Sequence, residues 1–327
     1  MCIRDRLNSN KILIQSVDGF PSLVSDPWLN GRLLAFHSCS DIWACGGSVI
    51  SAQSVVKLPS SSNNLQQELL FQVLEGINSA LTIQGAKLIG GHTLESRKRS
   101  EEPFSLEIES SLTVNGIIDD KKYFWSKGGM QKGDQILISR SLGTGIIFSA
   151  FMKGQVKSYV LDSVLREMNK SQHNIVNYIN QLTTINPSSK VVNACTDITG
   201  FGLLGHLSEM LESTNSDQLK MNLEPLKIIL ELDNIPVYNG VKELIDKGFE
   251  STLAPSNEIF LKNIEGDKNL RFELISQDFA SSRSFYNTML KILVDPQTCG
   301  PLVVSCSSIY SAKLIQEGPW IKIGFVS

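Results

Sequence analysis

Hydrophobic and polar positions alternate along this chain in two rhythms, one of period two and one near 3.6, and the changes of rhythm outline its elements. Residues 11–17 (KILIQSV) read as a strand that delivers Asp18 at its end, where Gly19-Phe20-Pro21 breaks it. Asp26-Pro27 opens a helix, with Asp as cap and Pro in the first turn. Leu29, Leu33, Leu34, Phe36 and Ile42 share its inner face, and Gly46-Gly47 ends it. A strand follows near 49–58, then a Ser/Asn loop at 60–64 and a helix near 65–84. Lys87-Leu88-Ile89 is a short strand running into Gly90-Gly91-His92-Thr93. Charge marks 95–102 as a loop, and 104–118 alternates well enough for a long strand.

Strands and helices taking turns up to about residue 120 argue for an α+β or α/β domain. Residues 121–132, charged and carrying a Gly-Gly pair, read as a linker into a second half. That half starts with a strand at 134–138 leading into Leu142-Gly143-Thr144-Gly145, and one or two helices occupy about 145–183. A strand near 219–223, a loop-rich helical region and a strand-helix-strand from 294 to 326 complete it. Residues 1–6 show no periodicity, and 1–10 are expected to lie outside the fold.

The run Asn193-Ala194-Cys195-Thr196-Asp197-Ile198-Thr199-Gly200-Phe201-Gly202-Leu203-Leu204-Gly205-His206 carries the most chemistry. It places one carboxylate between an apolar strand and a glycine-rich helix start. Free N–H groups at that helix end favour an anion, and Asp197 offers hard oxygen to a magnesium ion carrying the same anion. The plain alternative is an Asp N-cap on an ordinary helix. Asp18 at a strand end and Asp41 in Ser40-Asp41-Ile42-Trp43-Ala44-Cys45-Gly46-Gly47 have similar settings. Separated carboxylates suit Mg²⁺, which keeps waters and bridges polyphosphate oxygens. The chain has no G-x-x-x-x-G-K-[ST] and no protein-kinase signature.

Composition narrows the classes. The 327 residues are 42% hydrophobic and 19% charged with a net charge of -3, a globular balance without the basic footprint of a nucleic-acid partner. No apolar run approaches the ~18 residues of a membrane span, and the N-terminus lacks a signal-peptide core, so the cytoplasm is the expected location. Six cysteines without a C-x-x-C pair, beside four histidines, give no zinc spacing.

Five blocks in order now bring in a resemblance: Ser16-Val17-Asp18-Gly19-Phe20 with Ser25-Asp26-Pro27 and Gly31; the Asp41 block; Leu88-Ile89-Gly90-Gly91-His92-Thr93; the Asp197 block; and Asp295-Pro296-Gln297-Thr298-Cys299-Gly300. Together they resemble the selenide, water dikinase (selenophosphate synthetase) family within the PurM-like, aminoimidazole ribonucleotide synthetase-like superfamily. The resemblance implies an α+β fold of the α/β sandwich type. It places an ATP-binding, dimerising β-sheet domain at 11–125 and an α/β domain at 126–327. It also implies conversion of ATP, selenide and water to selenophosphate, AMP and phosphate. By position, Asp18 belongs to the ATP site, Asp41 contacts ATP and magnesium, and Asp197 is a magnesium ligand. Gly91, His92 and Thr93 match a stretch that touches ATP across a homodimer interface.

Family members begin with a glycine-rich segment bearing a reactive Cys or selenocysteine and a Lys. Nothing before Asp18 matches it, since Cys2 and Arg4 lack glycines and lie too near the first strand. The expectation is therefore a body without its N-terminal catalytic loop and short C-terminal tail, inactive or impaired by itself. Asp26-Pro27-Trp28-Leu29 with Gly91-His92-Thr93-Leu94-Glu95 is similar to members fused behind a flavin- and NAD-dependent oxidoreductase domain. Pro301 replaces a second glycine and removes a backbone donor. Cys299 is either a small buried residue or a reactive thiol, while His206 packs or hydrogen-bonds on its helix and Cys39 and Cys45 pack. The rival functions are a thiamine-monophosphate kinase-like or purine-synthetase activity, and a non-catalytic nucleotide-binding protein.

Overall fold

Two sheets, each with its own helices, divide the chain. The computed structural model describes residues 3–6, 11–96, 107–120, 123–261, 272–276 and 283–327. One unit gathers the chain up to Phe124 together with Met168–Asn177; the other holds Trp125–Glu167 and Tyr178–Ser327.

In chain order the first unit runs β1 (Ile3–Arg6), β2 (Ile12–Pro21), α1 (Pro27–Ala44), β3 (Ser48–Leu58), α2 (Asn63–Thr82), β4 (Lys87–Glu95) and β5 (Glu109–Ile118). The sheet order is β1-β2-β5-β3-β4. Only β3 and β4 pair in parallel, and α2 supplies the crossover that a parallel pair needs. Period-two alternation sends Ile14, Ala52, Val56, Leu112 and Val114 to the helix-covered face, all but fully buried. Asp26 caps α1 by accepting from the Leu29 amide at 3.0 Å, with Pro27 in the first turn.

α1 and α2 approach so closely that only glycine fits between them. A Cβ on Gly31 would stand 2.1 Å from the Val73 carbonyl oxygen, and one on Gly76 would stand 1.9 Å from that of Trp28. Gly31, first noticed inside a sequence block, is thus a packing residue. Arg32 of α1 reaches Asn169 through Nε at 2.6 Å and Ser79 through Nη1 at 2.9 Å, which ties the 168–177 segment to this unit.

Two elements of the first unit differ from the sequence reading. Residues 3–6, expected outside the fold, pair antiparallel with β2, from Ile3 opposite Gln15 to Arg6 opposite Ile12. An open strand edge offers unmatched N–H and C=O groups to any adjacent extended segment, whatever its hydrophobic pattern. β4 is nine residues long and continues through Gly90-Gly91-His92-Thr93 rather than turning there. Residues 97–102 of the expected charged loop and 104–106 of the expected long strand lie outside the described residues.

The second unit runs β6 (Gln135–Ile138), α3 (Thr144–Met152), α4 (Ser158–Met168), α5 (His173–Ile185, whose first turn lies in the first unit), β7 (Ala194–Asp197), α6 (Gly202–Lys220) and β8 (Ile228–Glu231). After these come α7 (Val241–Asp246), α8 (Ala254–Asn257), β9 (Phe272–Ile275), α9 (Arg283–Val294), β10 (Leu302–Cys306), α10 (Ser308–Glu317) and β11 (Ile321–Val326). Its strands order β7-β10-β6-β11-β8-β9, antiparallel except for β8 with β9. Both β7 and β10 are buried throughout, so their residues show no alternation. The strand expected near 219–223 is the end of α6 and a turn with Asn222 at φ 56. Leu219, Met221 and Leu223 do alternate, but all three are exposed and face no sheet. Among the described residues no helix is long and apolar enough to cross a membrane.

Candidate functional site

The candidate residues fall on both units. In the first, β2 carries Ser16 and Asp18 on the face that α1 covers, because residues two apart share a face. Ser16 Oγ donates to Asp41 Oδ2 across the β2–α1 contact. The half-buried Asp41 carboxylate, in the last turns of α1, is therefore held against the strand that presents Asp18. Ser16 was not singled out from sequence; its period-two relation to Asp18 was the available signal.

Gly91, His92 and Thr93 lie together on β4, the edge strand, and all are exposed. Register places Gly91 opposite Ser54, His92 opposite Val55 and Thr93 opposite Val56. His92 and Thr93 therefore point to opposite faces. A Cβ on Gly91 would stand 2.2 Å from the Ser54 carbonyl oxygen, so pairing with β3 already requires glycine there. A cleft of about 330 Å³ opens between β4 and α2, with Leu70, Leu74 and Leu88 on its apolar side and Gly90 to Thr93 along its rim.

In the second unit Asp197 is the last residue of β7, 6% exposed, opposite Leu302 of β10. It is not a helix cap. The N-cap position of α6 is Phe201, and no side chain caps that helix end. Phe201 has no polar side chain to cap α6, and the first helical amide, Gly202, turns back to the Thr199 carbonyl at 3.1 Å; a helix start without an N-cap side chain favours an anion. Between strand and helix, Gly200 has no heavy atom within 4 Å of where a Cβ would sit, whereas Gly202, at φ +69, is pressed against Val294.

The loop of Asp295 to Gly300 backs this segment. The Ile198 amide donates to the Pro301 carbonyl at 2.9 Å and the Gln297 amide to the Thr199 carbonyl at 2.9 Å. A Cβ on Gly300 would stand 1.9 Å from the Ile198 carbonyl oxygen, so this glycine permits the contact. Pro301 costs the turn nothing here: its carbonyl is the acceptor, and the next amide, Leu302, donates to Ser139 Oγ at 2.8 Å. Cys299 is 3% exposed with a left-handed φ of 49, and its carbonyl accepts from Arg140 Nη1 at 3.0 Å. Burial lowers the affinity of Arg140 for its proton.

Asp295 and Gln297 are spent on the start of α3. Gln297 Oε1 accepts from the amides of Gly143 at 2.9 Å and Thr144 at 3.2 Å, and Asp295 Oδ2 from those of Gly145 at 3.1 Å and Ile146 at 3.3 Å. Asp295 is fully buried with Oδ1 unpaired, and burial pushes its carboxyl up to about 8 against these hydrogen bonds. These roles were hidden in sequence, since the partners lie about 150 positions away.

Among the described residues no group of three or more His, Cys, Asp or Glu side chains could hold a metal. Asp41 in the first unit and Asp197 in the second each supply hard carboxylate oxygen, which suits magnesium with waters and phosphate and does not suit a closed zinc site.

The chain is similar to known proteins along nearly its whole length. Residues 2–118 match the family model of the AIR synthase related protein, N-terminal domain, and residues 131–244 that of the AIR synthase related protein, C-terminal domain. It is 28% identical over 312 residues to a selenide, water dikinase of Clostridioides difficile (strain 630), covering 95% of this chain and 77% of that protein. It is 30% identical over 310 residues to the selenide, water dikinase of Pelobacter propionicus, covering 95% and 76%. Thiamine monophosphate kinase from Aquifex aeolicus superposes with a TM-score of 0.64 at 15% identity, over 100% of this chain and 88% of that one. Hydrogenase maturation protein HypE in complex with ATP gives a TM-score of 0.62 at 16% identity, over 98% and 78%. At those identities the two structures share the fold.

Proposed function

This chain belongs to the selenide, water dikinase family of AIR synthase related, PurM-like proteins, and from that premise we propose that it converts ATP, selenide and water to selenophosphate, AMP and phosphate. The observation that carries the reading is Asp197, a buried carboxylate at a strand end, four residues before a helix whose N-cap residue, Phe201, has no capping side chain. Such a place holds a phosphate on backbone N–H groups and a cation on the acid beside it.

Asp41, held by Ser16, and Asp197 are the magnesium ligands in this reading, with Asp18 beside Asp41 in the ATP site. Magnesium, when bound, neutralises phosphate charge and keeps the transferring group in line. The chain's own part is to orient carboxylates and backbone donors before the nucleotide arrives. Gly91, His92 and Thr93 contact ATP from the exposed edge strand of a second copy. The exposed β4 and the alternation of exposed Val17, Val55 and Leu94 on the uncovered sheet face support that arrangement.

The deciding experiment incubates the native full-length protein with ATP, Mg²⁺ and selenide, resolving AMP from ADP. Selenide-dependent AMP together with selenophosphate is the expected outcome. ADP without AMP would move the assignment to a kinase of the thiamine-monophosphate type, and nucleotide binding without turnover to a non-catalytic role.

A further inference from the structure

Thr199, two residues beyond Asp197, is gripped through both of its backbone groups. Its N–H donates to His206 Nε2 at 3.1 Å. Its carbonyl accepts from the Gln297 amide at 2.9 Å and from the Gly202 amide at 3.1 Å. The neighbouring Gly200 carbonyl accepts from Asn257 Nδ2 at 2.8 Å. Three separate pieces of the fold, α6, α8 and the loop before β10, thus converge on two residues whose own side chains are small or absent.

Because Nε2 accepts from a backbone N–H, it carries no hydrogen, and the proton of the ring sits on Nδ1. Nδ1 faces Glu209 Oε2 at 3.6 Å, and Lys127 Nζ reaches the same oxygen at 2.6 Å. His206, foremost, and Lys127 draw the Glu209 carboxyl down to about 2. The ring packs against Phe201, whose ring in turn meets Phe260 at 6.0 Å between centroids. His206 is 6% exposed, so its orientation is fixed by packing on one side and by Glu209 on the other.

We propose that His206 is a positioning residue for Asp197: by accepting the Thr199 N–H, it fixes the loop that aims the carboxylate, with Gln297 gripping the same residue from its carbonyl. This deepens, and rests on, the reading of Asp197 as a magnesium ligand. A loop left to order itself around the metal loses conformational freedom at binding, whereas a gripped loop has lost it on folding. A histidine kept only for packing needs its shape; this one is needed for the acceptor at Nε2.

The two side-chain amides separate these roles, since Gln places an oxygen near the Nε2 position and Asn near Nδ1. Two quantities are read in the full-length native protein: the exchange rate of the Thr199 amide without metal, and the affinity for Mn²⁺, standing in for Mg²⁺, with a non-hydrolysable ATP analogue. His206→Asn should speed exchange and weaken Mn²⁺ each by about tenfold, the loss of roughly one hydrogen bond, while His206→Gln stays within about threefold of wild type. Equal behaviour of the two variants in exchange and affinity would overturn the proposal. Should His206→Asn not fold, His206→Gln decides alone: wild-type exchange and affinity support the acceptor role, and a loss of either refutes it. Asp197→Asn is the control. If it leaves Mn²⁺ affinity unchanged, the metal assignment fails, and the exchange rates alone then uphold or refute the grip on Thr199.

Discussion

Asp295 shows how far a single residue's chemistry departs from what its place in a motif implies. Its carboxyl, 0% exposed, takes two amides at the start of α3 and holds its proton up to about 8. The ordinary value is 3.8, so between that pH and about 8 the folded chain keeps a proton that the unfolded chain releases. The contribution is fully present below the lower value and is lost as pH rises through the upper one. The stability of wild type relative to Asp295→Asn should therefore decline from pH 5 to pH 8, read from denaturation midpoints at several pH values. The asparagine keeps an acceptor for the two amides and has no proton to lose. Parallel curves for the two proteins would contradict the assignment. Glu209 acts in the opposite sense: held at about 2, it supports the fold above the ordinary carboxylate range and loses that support on acidification.

Among elements, the α1–α2 pair is the most exacting contact in the first unit. Gly76 sits under the Trp28 carbonyl and Gly31 under that of Val73, so the two backbones touch without intervening side chains. Gly76→Ala should destabilise the protein by about 3 kcal/mol despite the better helix propensity of alanine, because rigid backbone on both sides must separate. Chemical denaturation checks this, and an unchanged or raised midpoint would show that the helices can part at little cost. Elements of this kind were legible in sequence where periodicity was strong and punctuated. The Asp26-Pro27 start and the Gly46 stop bracket α1, and the run through Gly200 reads as strand, turn and helix. The misreadings have physical causes. Leu219, Met221 and Leu223 mimic a strand while exposed at a helix end, and Gly90-Gly91 look like a turn although Gly91 is the glycine that pairing beside Ser54 demands. At the site, Asp18, Asp41 and Asp197 were found from their places at element ends. Ser16 and Gln297 stand in sequence blocks, but their roles, like that of Asn257, do not show there because their partners are distant in sequence.

At the scale of the molecule, among the described residues helices cover one face of the first unit's sheet. On the other, Val17, Val55 and Leu94 are 58%, 39% and 45% exposed. Phe20, Pro21, Val55 and Leu94, with Lys57 and Glu109, line a cleft of about 340 Å³ there, and Lys57 and Glu109 pair at 2.6 Å. β4 adds an edge that no strand among the described residues pairs. The face is mixed, with Gln15, Gln53 and Thr113 beside Val17 and Val55, and a second copy laid on it would cover the apolar positions and pair the open edge. Stable association of that kind buries on the order of 800 Å² per partner, which is within reach of a ten-residue strand face and its neighbours. The native protein should therefore run as a dimer in light scattering. Val17→Glu with Val55→Glu should give a monomer with a near wild-type melting temperature, because both side chains point away from the helices. If Gly91, His92 and Thr93 serve the nucleotide of the other copy, the monomer should also bind ATP more weakly, by about tenfold for the loss of one or two good contacts. A monomeric wild type would remove the dimer, and a monomeric variant with full ATP affinity would confine the nucleotide site to one chain.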